Sequence, residues 1–316
     1  MYLIADTIDD LLRKSQEVLL DQGIKETSTR GEYFALPGVL LELTNPLARL
    51  SRTESRGKIV SCIGELMWIL SGSNALHAIA PYISKYIDES EDGETIHGAY
   101  GPRIFSTYQP NQFHRAAELL HLKPSSRRAV IPILAQSDFD RDHKEIPCTL
   151  QLHFRILENK LHLFVSMRSS DAFLGLPHDI FVFTMLQEIM ARHLSVELGS
   201  YKHFAGDLHV YTEHIPKVNH FLSEGWTSRL NSMPIMPAEG VMDTVAMVVQ
   251  AESHIRQNHS IPLVCNRLSS YWNNLLGFIG MHFARQQRDK ESAKLFRAMI
   301  DDPVYQIYVF DRELNE

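Results

Sequence analysis

Residues 148–165 constrain this chain more than any other stretch. Cys148, Leu150, Leu152, Phe154 and Ile156 alternate with Thr149, Gln151, His153 and Arg155; after Glu158-Asn159 a second run, Leu161-His162-Leu163-Phe164-Val165, returns. A period of two places alternate side chains on opposite faces of a strand. Two such runs around a short polar pair predict a β-hairpin. A turn centred on residues 158 and 159 pairs residues whose numbers add up to about 317, the sum of those two. That register sets Cys148 beside Arg168 and Ser169, a thiol next to a guanidinium.

Around the hairpin the pattern alternates between helix and strand. Ile8, Leu11, Leu12, Val18 and Leu19 share one helical face over 7–21, with Asp6 or Thr7 as cap and Gly23 as stop. A strand is expected over 38–46, and a second helix over 58–71 with Ile59, Ile63, Leu66, Met67 and Leu70 inward. A polar loop spans 86–98, and a short strand 127–134. Further helices are expected over 180–193, 212–223, 241–256 and 268–286, with a strand near 197–204. No repeat or long linker divides the chain, so the 316 residues read as one α+β domain.

Composition narrows the function classes. A net charge of −7 argues against a nucleic-acid polymer as partner, though a few local arginines can still hold one nucleotide. Three widely spaced cysteines, Cys62, Cys148 and Cys265, suit neither a disulfide framework nor zinc, and no metal is expected. The start MYLIADTIDD has no secretory-signal pattern and no run reaches membrane-span length, which predicts a cytoplasmic protein without a membrane partner.

Several residues could carry chemistry. Cys148, after Ile-Pro, is either a small buried hydrophobe or a nucleophile whose thiolate Arg168 favours. Arg30, the Arg127-Arg128 pair and Arg168-Ser169 would suit a phosphate clamp, although arginines are commonly solvated surface charges. Glu65 lies within the apolar run IVSCIGELMWIL, with Cys62, Trp68 and Ile69 as helical neighbours, so no charged face accounts for it. A carboxylate there either pairs or resists ionisation. GDLHVY (206–211) carries Asp207, His209 and Tyr211 on one side of an extended segment, which taken alone reads as a polar edge strand.

As a set these motifs resemble the thymidylate synthase family: RSSDAFLGLPHDI (168–180), IPCTLQLHF (146–154), SRR (126–128), GDLHVY, the Glu65 helix RGKIVSCIGELMWILSG and Tyr100-Gly101. The resemblance covers roughly 28–215 and leaves 216–316 divergent. It implies a mixed sheet packed with helices and a sheet-to-sheet homodimer. Arg30, Arg168 and Ser169 would hold a nucleotide phosphate, with Arg127 and Arg128 donated by the second subunit. Cys148 would attack C6 of a pyrimidine, making C5 nucleophilic toward 5,10-methylenetetrahydrofolate as co-substrate. Glu65 would manage protons and water. His209 and Tyr211 would bind the ribose, and Asp171, Gly175 and Tyr86 the folate.

The departures from the family pattern matter most. Asp179 stands where the synthases carry Asn, Met167 where they usually have Gln, and Thr149 where His is common; the last two resemble the deoxycytidylate hydroxymethylases. An acid at 179, expected to resist ionisation, suits the cytosine edge and would serve both recognition and catalysis. It could equally be a helix N-cap. The family's folate-facing tryptophan pair is missing near Tyr82, Ile83 and Tyr86, leaving the one-carbon intermediate open to water. The sequence therefore predicts a cytidylate 5-hydroxymethylase acting on dCMP or CMP, with thymidylate synthase or a catalytically silent relative as alternatives.

Overall fold

The structure, a computed structural model, describes residues 1–51, 59–107, 111–224 and 232–313. The hairpin forms as the alternation predicts. β5 (Thr149–Leu157) and β6 (Lys160–Met167) pair antiparallel with Leu152 opposite Val165 and Ile156 opposite Leu161. Glu158 and Asn159 both adopt positive φ, 50° and 59°, the geometry whose twist matches a two-residue hairpin. A register shift after Thr149 pairs it with Met167, so the two sequence departures face each other across the hairpin.

The hairpin belongs to an eight-stranded mixed sheet. The order is β1 (Tyr2–Ala5), β3 (Gly31–Leu43), β8 (Glu197–Tyr211), β6, β5 and β4 (Val130–Pro132). β2 (Ile24–Ser28) adds to β3, and β7 (Ser170–Asp171) to β8. β8 runs antiparallel to β3 and parallel to β6 and β7. The GDLHVY segment is thus the end of a central strand, not an edge: its pairing partner Gly31–Leu43 begins well before the expected 38–46 strand.

One face of the sheet carries α1 (Ile8–Gln22) and α7 (Gly175–His193). Thr7 caps α1 by accepting from the Asp10 N–H at 3.1 Å, and Ile8, Leu11, Leu12 and Leu19 are buried beneath it. The opposite face of β8 bears Phe204, 40% exposed among the described residues. α2 (Ile59–Leu70) is buried nearly all round because α7, α9 (Val241–Asn258) and α10 (Ser270–Gln286) enclose it. Lys58, the expected first residue of that helix, lies outside the described residues.

α7 starts five residues earlier than periodicity suggested. Asp171 Oδ1 accepts from the Phe173 and Leu174 N–H groups at 2.8 and 3.0 Å, turning the chain into the helix. Asp179 therefore sits inside α7 and is not its N-cap. The divergent C-terminal part also gains a structural role. Glu252 of α9 accepts from the Tyr82 hydroxyl at 2.6 Å and from Arg256 Nε at 2.8 Å, and His282 Nε2 lies 3.0 Å from the Pro81 carbonyl.

That clasp presses the Tyr82 ring onto Gly64, next to Glu65. A Cβ at Gly64 would lie 2.2 Å from Tyr82 Cγ, so only glycine lets the ring approach. Gly64→Ala is expected to lower stability by about 1–3 kcal/mol, the usual cost of overpacking a core. Urea unfolding reads this directly; an unchanged midpoint would mean that Tyr82 moves freely.

Candidate functional site

Register and side chain together hold the loop that ends in Cys148. The Arg168 N–H donates to the Cys148 carbonyl at 2.9 Å, and its guanidinium donates from Nε to Pro147 O at 3.1 Å and from Nη2 to Ile146 O at 3.2 Å. The charge on Arg168, and that on Arg30, favour the Cys148 thiolate as expected, but burial outweighs them. With Asp179 and Glu145 adding to its effect, burial pushes the thiol above its usual range. The expectation of an arginine-lowered pKa is corrected: the resting residue is a thiol.

Asp179 comes from the opposite direction, on the second turn of α7. Burial first, then the charges on Glu65 and Asp171, push its carboxyl up to about 8, while neighbouring His178 opposes the rise. Among the described residues its carboxylate makes no hydrogen bond. A Cβ at Gly175 would lie 3.7 Å from both Asp171 Cβ and Asp179 Oδ2, so glycine leaves open the gap between the two acids. Only Oδ1 of Asp171 is engaged by the backbone.

Glu65 is half-buried on α2. The hydroxyl of Tyr86, in the one-turn α4 (Tyr86–Glu89), donates to its Oε1 at 3.0 Å, so Tyr86 orients Glu65. Ser169 Oγ lies 3.3 Å from His209 Nδ1, and Tyr33 of β3 meets the rings of His209 and Tyr211 at 5.6 and 5.9 Å. Arg30 is half-exposed and donates through Nη2 to both oxygens of Glu89, at 2.9 and 3.1 Å. A phosphate would have to displace that carboxylate. Arg127 and Arg128 are exposed, and no described contact links them to Cys148.

The sequence reading missed three residues. Glu145, two residues before Pro147, is partly buried with its carboxyl raised, chiefly by burial. His178, inside the quoted stretch, lies 2.9 Å from Ser61 Oγ and 3.0 Å from the Leu174 carbonyl; burial alone would lower its pKa, but Cys62 and Glu65 raise it on balance. Tyr100, noted only as part of a motif, has its hydroxyl held protonated by burial and by the charges on Asp179 and Cys148. Its signal was adjacency in space, which spacing along the chain does not encode.

The Cys148 thiol, the Asp179 and Glu145 carboxyls and the Tyr100 hydroxyl thus lie within electrostatic reach of one another. The family model described as thymidylate synthase matches residues 42–250, and the chain belongs to the thymidylate synthase family. It is 31% identical over 212 residues to a deoxyuridylate hydroxymethyltransferase of Delftia phage PhiW-14, covering 63% of this chain. Another deoxyuridylate hydroxymethyltransferase, of Pseudomonas phage M6, is 31% identical over 202 residues, 62% of this chain. The chain spans 58% of the length of each of these phage relatives. A thymidylate synthase of Francisella philomiragia subsp. philomiragia is 29% identical over 194 residues, 54% of this chain and 68% of that protein. The solved thermostable thymidylate synthase A from Bacillus subtilis shares the fold, with a TM-score of 0.57 at 24% identity over 68% of this chain and 83% of that one. Among the described residues no helix is long and apolar enough to cross a membrane, and no cluster of three metal-ligating side chains occurs.

The Asp179 carboxyl makes stability depend on pH. Its folded-state value near 8 exceeds the ordinary carboxyl value of 3.8, so between those limits the native state binds more protons than the unfolded chain. Stability attributable to this group therefore falls as pH rises from about 4 to about 8 and is level above that. Asp179→Asn removes the titration. Its melting temperature is expected to gain on the wild type steadily across that window; a gap independent of pH would contradict the raised carboxyl.

Proposed function

We propose that this protein is a one-carbon transferase of the hydroxymethylase type, converting CMP or dCMP to the 5-hydroxymethyl nucleotide, with Asp179 reading the base. The observation that carries the reading is the Asp179 carboxyl, raised to about 8 and free of protein hydrogen bonds that would fix its proton on one oxygen. At neutral pH such an acid offers one O–H donor and one acceptor. Cytosine presents an acceptor at N3 and a donor at its 4-amino group, so both find partners. An amide can offer the same pair only by turning end for end; the acid does it by moving a proton.

The chemistry follows from the cleft. Cys148 adds to C6 of the ring, and the proton that Asp179 gives to N3 offsets the charge that develops there. The Cys148 proton passes to the Asp179 carboxylate left by that transfer, which completes a nucleophile that burial keeps neutral at rest. C5 then attacks the carbon supplied by 5,10-methylenetetrahydrofolate, and Glu65, oriented by Tyr86, is the group beside the ring that can remove the C5 proton. Tyr82, Ile83 and Tyr86, standing where the family's folate-facing tryptophans are expected, leave the one-carbon intermediate open to water, which supports a hydroxymethyl product and release of tetrahydrofolate. Arg168, Ser169 and Arg30 would take the phosphate and His209 and Tyr211 the ribose. Arg127 and Arg128, exposed here, would serve a second copy docked on the sheet face that bears Phe204.

A uridylate substrate is the second reading, favoured by the names of the two phage relatives. A protonated acid can also donate to O4 and accept from N3–H. The two bases separate in the mutant. Cys148→Ala is expected to abolish tritium release from C5-labelled nucleotide. Asp179→Asn is expected to shift the cytidylate-to-uridylate ratio of kcat/KM toward uridylate by about tenfold to a hundredfold, since an unpaired buried polar group costs about 1–3 kcal/mol. An unchanged ratio would remove Asp179 from base recognition.

A further inference from the structure

A small cavity adjoins the cleft, between α2 and the loop segments at 96–100 and 145. It measures about 30 Å³ and is lined in part by Glu65, Trp68, Tyr86, Gly98, Tyr100 and Glu145. Three polar atoms of its walls, Glu65 Oε2, Trp68 Nε1 and Glu145 Oε2, are buried with no hydrogen-bond partner among the described residues. Trp68 is 4% exposed, so water cannot reach its indole N–H from outside. A Cβ at Gly98 would fall 2.0 Å from Glu145 Oε2, so the glycine exists where the carboxylate needs to reach inward.

Unpaired polar atoms in a closed space are costly, and three along one cavity require a common partner. A buried water needs about 10–15 Å³ and two to four polar contacts. The volume holds about two waters. The valences also match: two carboxylate oxygens accept, the indole N–H donates, and a water has two protons to give and lone pairs to receive. Tyr100 links this space to the reacting groups, because its hydroxyl feels the charges on Asp179, Cys148 and Glu145.

We infer that Glu145, with Glu65 and Trp68, holds the water that becomes the hydroxyl of the product, and that Glu145 takes its proton. The inference rests on the hydroxymethylase reading. In the step, the water oxygen bonds to the exocyclic methylene carbon on C5 while its proton passes to the Glu145 carboxylate. The methylene–C5 π pair moves into the ring and then restores the C5–C6 double bond as the C6–S bond to Cys148 breaks. Thiolate leaves, one water is consumed, and nothing is oxidised or reduced. The groups that tune Glu145 are Glu89 on α4, Arg103 in the short helix α5 (Tyr100–Phe105), Arg168 after β6 and the Gly98 N–H. Glu65 of α2, Tyr86 and Tyr100 complete its surroundings.

The test uses Glu145→Gln with C5-tritiated cytidylate and methylenetetrahydrofolate under single-turnover conditions. Tritium release is expected to fall less than about tenfold, because carbon–carbon bond formation and C5 deprotonation do not need Glu145. Formation of hydroxymethyl nucleotide is expected to fall about 10²–10⁴-fold, the scale of general-base catalysis. Added 2-mercaptoethanol should then capture the methylene as a C5 thioether, and the acid limb of the pH–rate profile should disappear. Trp68→Phe, which deletes the N–H together with the five-membered ring, should give a smaller loss in the same direction and keeps the test open if the glutamine variant does not fold. Glu145→Gln making hydroxymethyl product at the wild-type rate and pH profile would overturn the inference while leaving the hydroxymethylase reading intact. Parallel loss of tritium release and product with no thioether would reduce Glu145 to a structural role. A wild type that releases no tritium from any pyrimidine nucleotide, or that forms dihydrofolate, would remove the parent reading as well.

Discussion

The pairing of β5 with β6 is the constraint on which the site depends. Because side chains alternate with a period of two, a slip of one residue would turn Leu152, Phe154, Leu161 and Leu163 out of the core together. The tight turn at Glu158-Asn159 fixes that register, and the register delivers Arg168 to Cys148. The same alignment then lets Arg168 fasten three consecutive residues, its guanidinium holding the Ile146 and Pro147 carbonyls and its backbone N–H holding that of Cys148. Position is thus supplied by backbone pairing and held by a charged side chain, two levels of structure agreeing on one geometry.

The second theme is the gathering of acids where water is scarce. Glu65, Glu145, Asp171 and Asp179 come from four different segments, and each raises the cost of ionising a neighbour in the cleft. A protein organised for stability alone would not bring them together. The consequence is clearest at Asp179, whose carboxyl is pushed up to about 8. His178 is the counterweight that keeps the cluster from becoming wholly neutral. The C-terminal helices contribute at a distance: α9, through Glu252 and Tyr82, presses on the helix that carries Glu65.

How much of this was legible in the sequence depends on the range of the signal. The hairpin, α1 and α2 were readable because burial on one face, or nearly all faces, stamps a period on neighbouring residues. β2 was not, since four of its five residues are exposed and none alternate. The start of α7 was hidden because an Asp171 side chain, not apolar periodicity, turns the chain there. Cys148, Arg168 and Asp179 were found through motifs and register. Glu145 was not, because its burial arises from a glycine about fifty residues earlier in the chain that no local pattern connects to it. The Cys148 thiol was misjudged for a related reason: sequence places a cation beside sulfur, but only the fold reveals how much water is excluded.

The central claim is that a protonatable carboxyl reads cytosine beside an attacking thiol. It is tested most directly by incubating the wild-type protein with methylenetetrahydrofolate and, side by side, CMP, dCMP, UMP and dUMP, and following product mass together with dihydrofolate absorbance. The account predicts a hydroxymethylated cytidylate with no dihydrofolate signal. Conversion of a uridylate alone, or a methylated product accompanied by dihydrofolate, would contradict it.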